Sequence, residues 1–541
     1  MPEGQEKQSP GQSQSEALAP PWGKRIQNDG KPQRGERNFR LKIPGQRNME
    51  QWEVSEMTTI TEVQDIFNPE RWGLPMDAID ELTDRLIDVW QRYRHLFITT
   101  HARDTSPHAF TYLRGLLTMD TQRNYANIGR RVVDCENDGQ NLQNFMSDSP
   151  WSSRAIFEQI QRELQGYRQM SGGMLTLDDT GDKRSGGCSA GASRQYLGRL
   201  GKVDMGQVGV MLGYFQQNIW TMLDTRLYLP EKWFGDEYRR LREKCGISSD
   251  VRFKTKTEMA VEMILEAQNI GIPFEVIGCD SYYGKSHTFR ARLNANNIKY
   301  MAGVRASTKV YLDEPIVTFV PTRNGRRTMV VESLRPACRI GQLIGNMSLV
   351  DIPVRQFERG MLVAQCAASR VWTVAPDGTV LREWLLVRKE SDEKLTFSLC
   401  NADSQTDINT LATWRCAKYF VERTIQDAKS EIGWDELQAC KFSAWQHHAA
   451  MTALALWFIT ETKIQWQTQY PTDPELADQF ELEMLPALST ANIREILKAV
   501  LPLPALSPRQ ARKIVIRHLV LRARSIRCRL AKHVGQMMHP T

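Results

Sequence analysis

The chain has 541 residues, 41% hydrophobic and 25% charged, with a net charge of +7. That is globular composition, long enough for roughly two to four domains. With no run of eighteen apolar residues and no apolar signal core at the N-terminus, neither a membrane span nor export is expected. The ten cysteines are scattered without a Cys-x-x-Cys pair, as suits free thiols in a reducing cytoplasm.

Residues 1–56 are polar and rich in Gln, Gly, Pro, Ser and Arg. They cannot bury enough apolar surface to offset ordering, and read as a disordered arm whose Arg34, Arg37, Arg40 and Lys42 are able to touch phosphates. Residues 57–170 read as a small helical domain. Ile79, Leu82, Leu86, Ile87 and Trp90 recur at helical spacing after Pro75, a second helix begins near Tyr112, and a third follows Ser149-Pro150 as Ncap and N1. Its Arg114, Arg123, Arg130 and Arg131 would line nucleic acid or form a solvated face.

Residues 171–304 alternate between strand and helix. Met174 to Leu177 is a short buried strand that runs into Asp178-Asp179 and closes at Gly181. A polar loop to Gly206 carries Arg194, Gln195, Tyr196, Arg199 and Lys202, with no phosphate-loop or dinucleotide spacing. Two strands (207–214 and 220–229), a helix (257–269), a strand (274–280) ending on Asp280, a helix (286–297) and a last strand (299–304) make a mixed α/β core. Residues 305–410 read as a β-rich insertion, with Arg326 and Arg327 after the Asn324-Gly325 turn at a hairpin tip. Residues 411–461 return to helix. Residues 462–541 hold a Pro-punctuated linker and a basic helical tail: from Ser507 to His533 there are nine Lys or Arg, including Arg512 and Lys513, and no acid. Such a segment seeks a polyanion.

Three acidic positions sit where regular structure aims them inward: Asp179 or Asp178, Asp280 and Glu422. On a continuous helix Arg415, Lys418, Glu422 and Lys429 would share a stripe roughly 60° wide. A set of carboxylates flanked by cations suits phosphodiester cleavage with two divalent metals about 3.5–4 Å apart, because Mg²⁺ takes oxygen ligands and keeps waters. Neighbouring Lys and Arg would hold the strand by its phosphates.

Leu177-Asp178-Asp179-Thr180-Gly181, Gly278-Cys279-Asp280-Ser281-Tyr282-Tyr283-Gly284, and Val421-Glu422 through Lys429-Ser430-Glu431-Ile432-Gly433 together resemble the three blocks of DDE transposases from bacterial insertion sequences. The resemblance covers about residues 57–460. It implies a ribonuclease-H-like mixed sheet with a β-rich insertion, an N-terminal helical domain and a basic C-terminal helical tail. It implies a transposase that cuts element ends and joins their 3′-hydroxyls to target DNA with two Mg²⁺ per site, Mn²⁺ substituting. It further implies double-stranded DNA as partner (terminal inverted repeats and target), a homodimer in the active complex, and a bacterial cytoplasmic, nucleoid-associated location. Carried over by position, the first Asp falls on Asp179, the second on Asp280, the Glu on Glu422 and a Lys on Lys429. In the related Tyr-Arg-Glu-Lys signature the Arg and Tyr positions hold Lys418 and Arg415. Relatives that make hairpin ends stack a flipped base on an aromatic of the insertion, which makes Trp384 and Trp372 candidates beside the ordinary reading of core packing.

Rival readings keep the fold without strand transfer, as a nuclease or resolvase, or make the chain a domesticated DNA-binding protein that no longer cuts. His447-His448 near Cys440 matches no zinc spacing and reads as packing.

Overall fold

The computed structural model describes residues 68–528, apart from 101–102, 133–138, 323–325, 358–359, 391–393, 477–487, 504–506 and, along the basic tail, 510–511, 514, 517–518, 521–522 and 525. The expected arm of 1–56, the Asn324-Gly325 turn and the end of the basic tail lie outside the described residues. The chain divides at Glu62/Val63, and everything below belongs to the unit that starts at Val63.

The framework is one ten-stranded mixed sheet. Its first strands are β1 (Gly173–Lys183), β2 (Ser193–Leu197), β3 (Lys202–Gln216), β4 (Ile219–Tyr228), β5 (Phe274–Cys279) and β6 (Lys299–Val304). β3 pairs antiparallel with β1, β2 and β4, while β5 lies parallel to both β1 and β6. This is the mixed α/β core expected for a ribonuclease-H-like chain. Half of the segment expected to be a polar loop from Gly181 to Gly206 is instead strand: β1 continues to Lys183, and β2 returns along the start of β3. Ladder pairing overrides the Gly-rich composition there, with Ser193 and Leu197 buried at either end of β2.

A hairpin of β7 (Ile316–Pro321) and β8 (Arg327–Glu332) stands apart. Then β9 (Val350–Phe357), β10 (Gly360–Val374), β11 (Val380–Lys389) and β12 (Leu395–Cys400) follow as an antiparallel meander. The expectation of a β-rich insertion within the α/β domain needs refining: β12 pairs with β6, so the meander extends the same sheet. A sequence pattern does not report which distant edge a strand joins.

The helices are α1 (Met76–Arg94), α2 (Ser106–Thr118), α3 (Tyr125–Val132), α4 (Gln140–Ser147), α5 (Ser153–Gln165), α6 (Lys256–Ile270), α7 (His287–Ala295), α8 (Ile408–Ala417), α9 (Tyr419–Gln426), α10 (Phe442–Gln469) and α11 (Thr490–Val500). Ser152, not Ser149, caps α5, accepting from the Ala155 N–H at 3.3 Å. The helices of 76–165 were expected to form a domain of their own, but they share one hydrophobic core with β1, β3, β4 and α10. Of the 28 residues of α10, 21 are buried, because helices cover it on one side and the sheet on the other. Among the described residues no helix is long and apolar enough to cross a membrane.

His447 and His448 pack, as expected, inside this core. His447 stacks on Trp151 at 3.8 Å. His448 donates from Nε2 to the Trp434 carbonyl at 3.0 Å and accepts at Nδ1 from the Tyr112 hydroxyl at 2.9 Å. Burial pushes His448 down to about 4. Since its folded value lies below the unfolded value of about 6.5, its contribution to stability is complete above that pH and is lost as pH falls toward 4. The unfolding free energy from urea titrations should therefore fall between pH 7 and pH 4, by roughly 2–4 kcal/mol for this group. His448→Gln should flatten that part of the profile.

Candidate active site

Strand alternation decides which carboxylate faces which partner. Leu175 and Leu177 point into the core shared with Ile277 and Cys279. Met174 points the other way, into a cluster with Val276, Trp414 and Phe420. Thr176 lies on that second face too, since a Cβ on Gly213 would meet both Thr176 Oγ1 and Thr424 Oγ1 of α9. Asp178 continues the face of Met174 and Thr176, toward α8 and α9. Asp179 continues the face of Leu177.

The contacts agree. Asp178 Oδ2 pairs with Lys418 Nζ at 3.1 Å, and the same ammonium lies 3.6 Å from Glu422 Oε1. The parallel register pairs Leu177 with Cys279, so Asp178 and Asp280 leave neighbouring strands side by side. Asp280 caps the turn Ser281–Gly284, accepting from the N–H groups of Tyr282 at 2.9 Å and Tyr283 at 3.3 Å. Gly284 is obligatory in that turn, because a Cβ would sit 1.9 Å from the Gly303 carbonyl oxygen. Burial, and then the Asp178 carboxylate, hold Asp280 above the usual carboxylate range, against the pull of Lys418. Burial works to lower Lys418, but Asp178, Glu422 and Asp280 outweigh it and the net shift is upward. One ammonium thus sits among three carboxylates.

Asp179 is engaged elsewhere. Its Oδ1 accepts from the Tyr283 hydroxyl at 2.5 Å, and its Oδ2 pairs with Lys256 Nζ at 2.6 Å. Lys256 is fixed as the first residue of α6, whose N-terminus is closed by a Thr255–Glu258 capping box. The structure therefore brings Asp178, Asp280 and Glu422 around Lys418, and does not bring Asp179 into that group.

The expected single stripe of Arg415, Lys418, Glu422 and Lys429 is delivered in pieces. α8, capped by Asp407, ends at Ala417; α9 begins at Tyr419; a π-helical turn follows from Asp427 to Glu431. Gly433, at φ +80°, ends the run. The π turn carries Lys429 and rotates it relative to Glu422, and such turns are concentrated at functional sites. Beyond it, Lys429 Nζ pairs with Asp182 Oδ1 at 2.6 Å and reaches the Gly181 carbonyl at 3.2 Å. Glu422 borders two cavities. A larger one of about 930 Å³ is shared with Asp280, Lys418 and Arg415, and a smaller one of about 540 Å³ with Asp179, Gly181 and Lys429.

Other predicted contacts lie elsewhere. Arg194 and Lys202 are exposed on β2 and β3, Arg326 and Arg327 on the β7–β8 hairpin, and Arg512 and Lys513 on the helical tail. Arg123 is a structural residue: it is 2% exposed, pairs with Glu436 at 3.0 Å and donates to the Glu431 carbonyl at 2.6 Å. Trp384 and Trp372 sit on one face of β10–β11, each already covered by a guanidinium: Arg370 at 4.8 Å from Trp384 and Arg382 at 5.3 Å from Trp372. The cations Arg355 and Arg388, which line the larger cavity, carry no sequence signal, since neither falls in a recognisable motif.

The donor set is oxygen-only, which suits a hard divalent cation, and the Lys418 ammonium marks the place where positive charge is held. As they stand, no three Asp, Glu, His or Cys groups among the described residues are closed around a metal position.

Residues 94–340 match the model of the DDE superfamily endonucleases, a span that includes Asp178, Asp179 and Asp280 and ends before Glu422. The chain is also 30% identical, over 369 residues, to a probable transposase for insertion sequence element IS701 from Microchaete diplosiphon. The aligned region is 66% of this chain and 82% of that protein.

Proposed function

The chain belongs to the DDE transposases of insertion sequences, and from that premise we propose that it cuts the ends of its own element and joins the freed 3′-hydroxyls to target DNA, with Asp178, Asp280 and Glu422 as the acidic triad. The observation that carries the reading is the gathering of those three carboxylates around the Lys418 ammonium, beside the central strands β1 and β5.

Divalent cations held by Asp178, Asp280 and Glu422, with Mg²⁺ the expected ion, would activate the attacking oxygen and stabilise the leaving one. Asp280 is fixed by two backbone N–H groups, so its carboxylate cannot swing away from the strand end. Lys418 and Arg415 lie beside the acids and are placed to hold a phosphate. Asp179, held by Lys256 and Tyr283, has a supporting role in this reading: it ties α6 to the turn after Asp280. Exposed Arg512 and Lys513 on the helical tail serve end binding. Cutting two ends in concert calls for a second copy of the chain.

The test is cleavage of duplex DNA bearing the element's own end. Cleavage should require added Mg²⁺, fall to background with chelator, and return when Mg²⁺ is restored in excess. A pre-cut 3′-end should be joined to a target duplex. Cleavage without joining would leave a nuclease, and binding without either would leave a DNA-binding protein.

A further inference from the structure

The larger cavity beside Asp280 and Glu422 is walled on its far side by the meander strands β9 and β11, and its lining is strongly cationic. Four arginines line it: Arg305 just after β6, and three on separate packed elements, Arg355 on β9, Arg388 on β11 and Arg415 on α8. A single carboxylate, Glu390, serves two of them, lying 3.1 Å from Arg388 and 3.9 Å from Arg415, and it also accepts from Thr396 at 3.1 Å. Among the described residues Arg355 meets no carboxylate. Its guanidinium stands over the rings of Phe420 at 4.6 Å and Tyr419 at 5.7 Å.

The Nε atoms of Arg355, Arg388 and Arg415 are all buried without a hydrogen-bond partner. Those atoms are closed to solvent, so any acceptor in the cavity would meet the outer N–H groups of the forks, for which Glu390 is, among the described residues, the one carboxylate paired with Arg388 and Arg415. Burial, and then the neighbouring Arg388, push the Arg415 guanidinium below its ordinary value. The cluster thus carries more positive charge than Glu390 neutralises. An acceptor with several oxygens and a negative charge, able to take paired N–H bonds from a planar fork, is a phosphate.

We propose that Arg355, Arg388 and Arg415 form a pocket for one phosphodiester group of the bound DNA, next to the one that is cut, and that Arg355 and Arg388 are positioning residues contributed by the meander strands. The identity of the polyanion rests on the transposase reading above. On this assignment the meander extends the sheet so that two of its strands place cations beside the acids.

The experiment uses the full chain and a duplex of the element's own end, with single linkages replaced in turn by neutral methylphosphonates. Arg355→Gln and Arg388→Gln should each bind about tenfold more weakly, with the slope of log K against log salt shallower by about 0.9 per lost contact. At one linkage, the methylphosphonate penalty seen with the wild-type chain should vanish in both variants. Arg388→Lys, which keeps the charge, should restore the salt slope. Arg355 is half-buried and carries the test should Arg388→Gln fail to fold. An unchanged salt slope, or no linkage at which variant and methylphosphonate effects merge, overturns the pocket. A wild-type chain that couples to one phosphate but never cleaves would keep the pocket and reject the transposase reading. One that cleaves without such coupling would do the reverse.

Discussion

Asp178→Asn is expected to reduce cleavage of an element end by on the order of a thousandfold or more, while Asp179→Asn retains cleavage within about tenfold of wild type. The two residues are adjacent in sequence, and only their faces separate them. Asp178 lies on the side of α9 and shares Lys418 with Glu422. Asp179 is held against Lys256 and Tyr283 on the other side. Replacing Asp178 removes a charged oxygen from the place where positive charge must be held against a phosphodiester. Replacing Asp179 strands the Lys256 ammonium, whose side chain is only 13% exposed, so its main cost should appear in stability. The measurement is initial cleavage rate with Mg²⁺ at a temperature where all three proteins are folded, alongside urea unfolding. A dead Asp179→Asn and an active Asp178→Asn would reverse the assignment.

That pair shows what the sequence carries and what it withholds. The acidic positions, the strand that ends on Asp280 and the helical setting of Glu422 are local signals, written in apolar runs and turn residues. The face of the first Asp is not local. It depends on which side of β1 receives α8 and α9, a choice made by Trp414 and Phe420 packing on Met174 and Val276, residues far apart along the chain. The helix that carries Glu422 has the right residues for one continuous stripe, but Lys418 sits at a junction and Asp427 to Glu431 form a π turn. Neither break is marked by Pro or Gly. Arg355 and Arg388 sit on strands outside any motif, and the pairing of β12 with β6 is what brings the meander to the acids. Family resemblance supplied the class of chemistry, and packing supplies the assignment of side chains within it.

Glu383→Ala is expected to destabilise the fold by about 3–5 kcal/mol, the usual consequence of leaving a buried charge without its partner. Glu383 on β11 and Arg290 on α7 are both fully buried, 2.9 Å apart. Tyr300 donates to Glu383 at 2.6 Å, and Thr373 donates to its other oxygen. Arg290 also donates to the carbonyl of Gly284, the last residue of the turn that begins after Asp280. The ion pair therefore joins the meander to the backbone that aims the second acid. The pair itself need not be stabilising, because desolvating two charges offsets most of their attraction. An Arg290→Met, Glu383→Leu double variant should thus recover most of the stability that Glu383→Ala loses. It should not recover cleavage, since the bond from Arg290 to the Gly284 carbonyl is gone and the Asp280 turn is freer. Urea unfolding and cleavage rates on the single and double variants separate the two effects. If the double variant is as unstable as Glu383→Ala, the cost lies in lost packing and hydrogen bonds; if it cleaves like wild type, the Asp280 turn holds its geometry without Arg290.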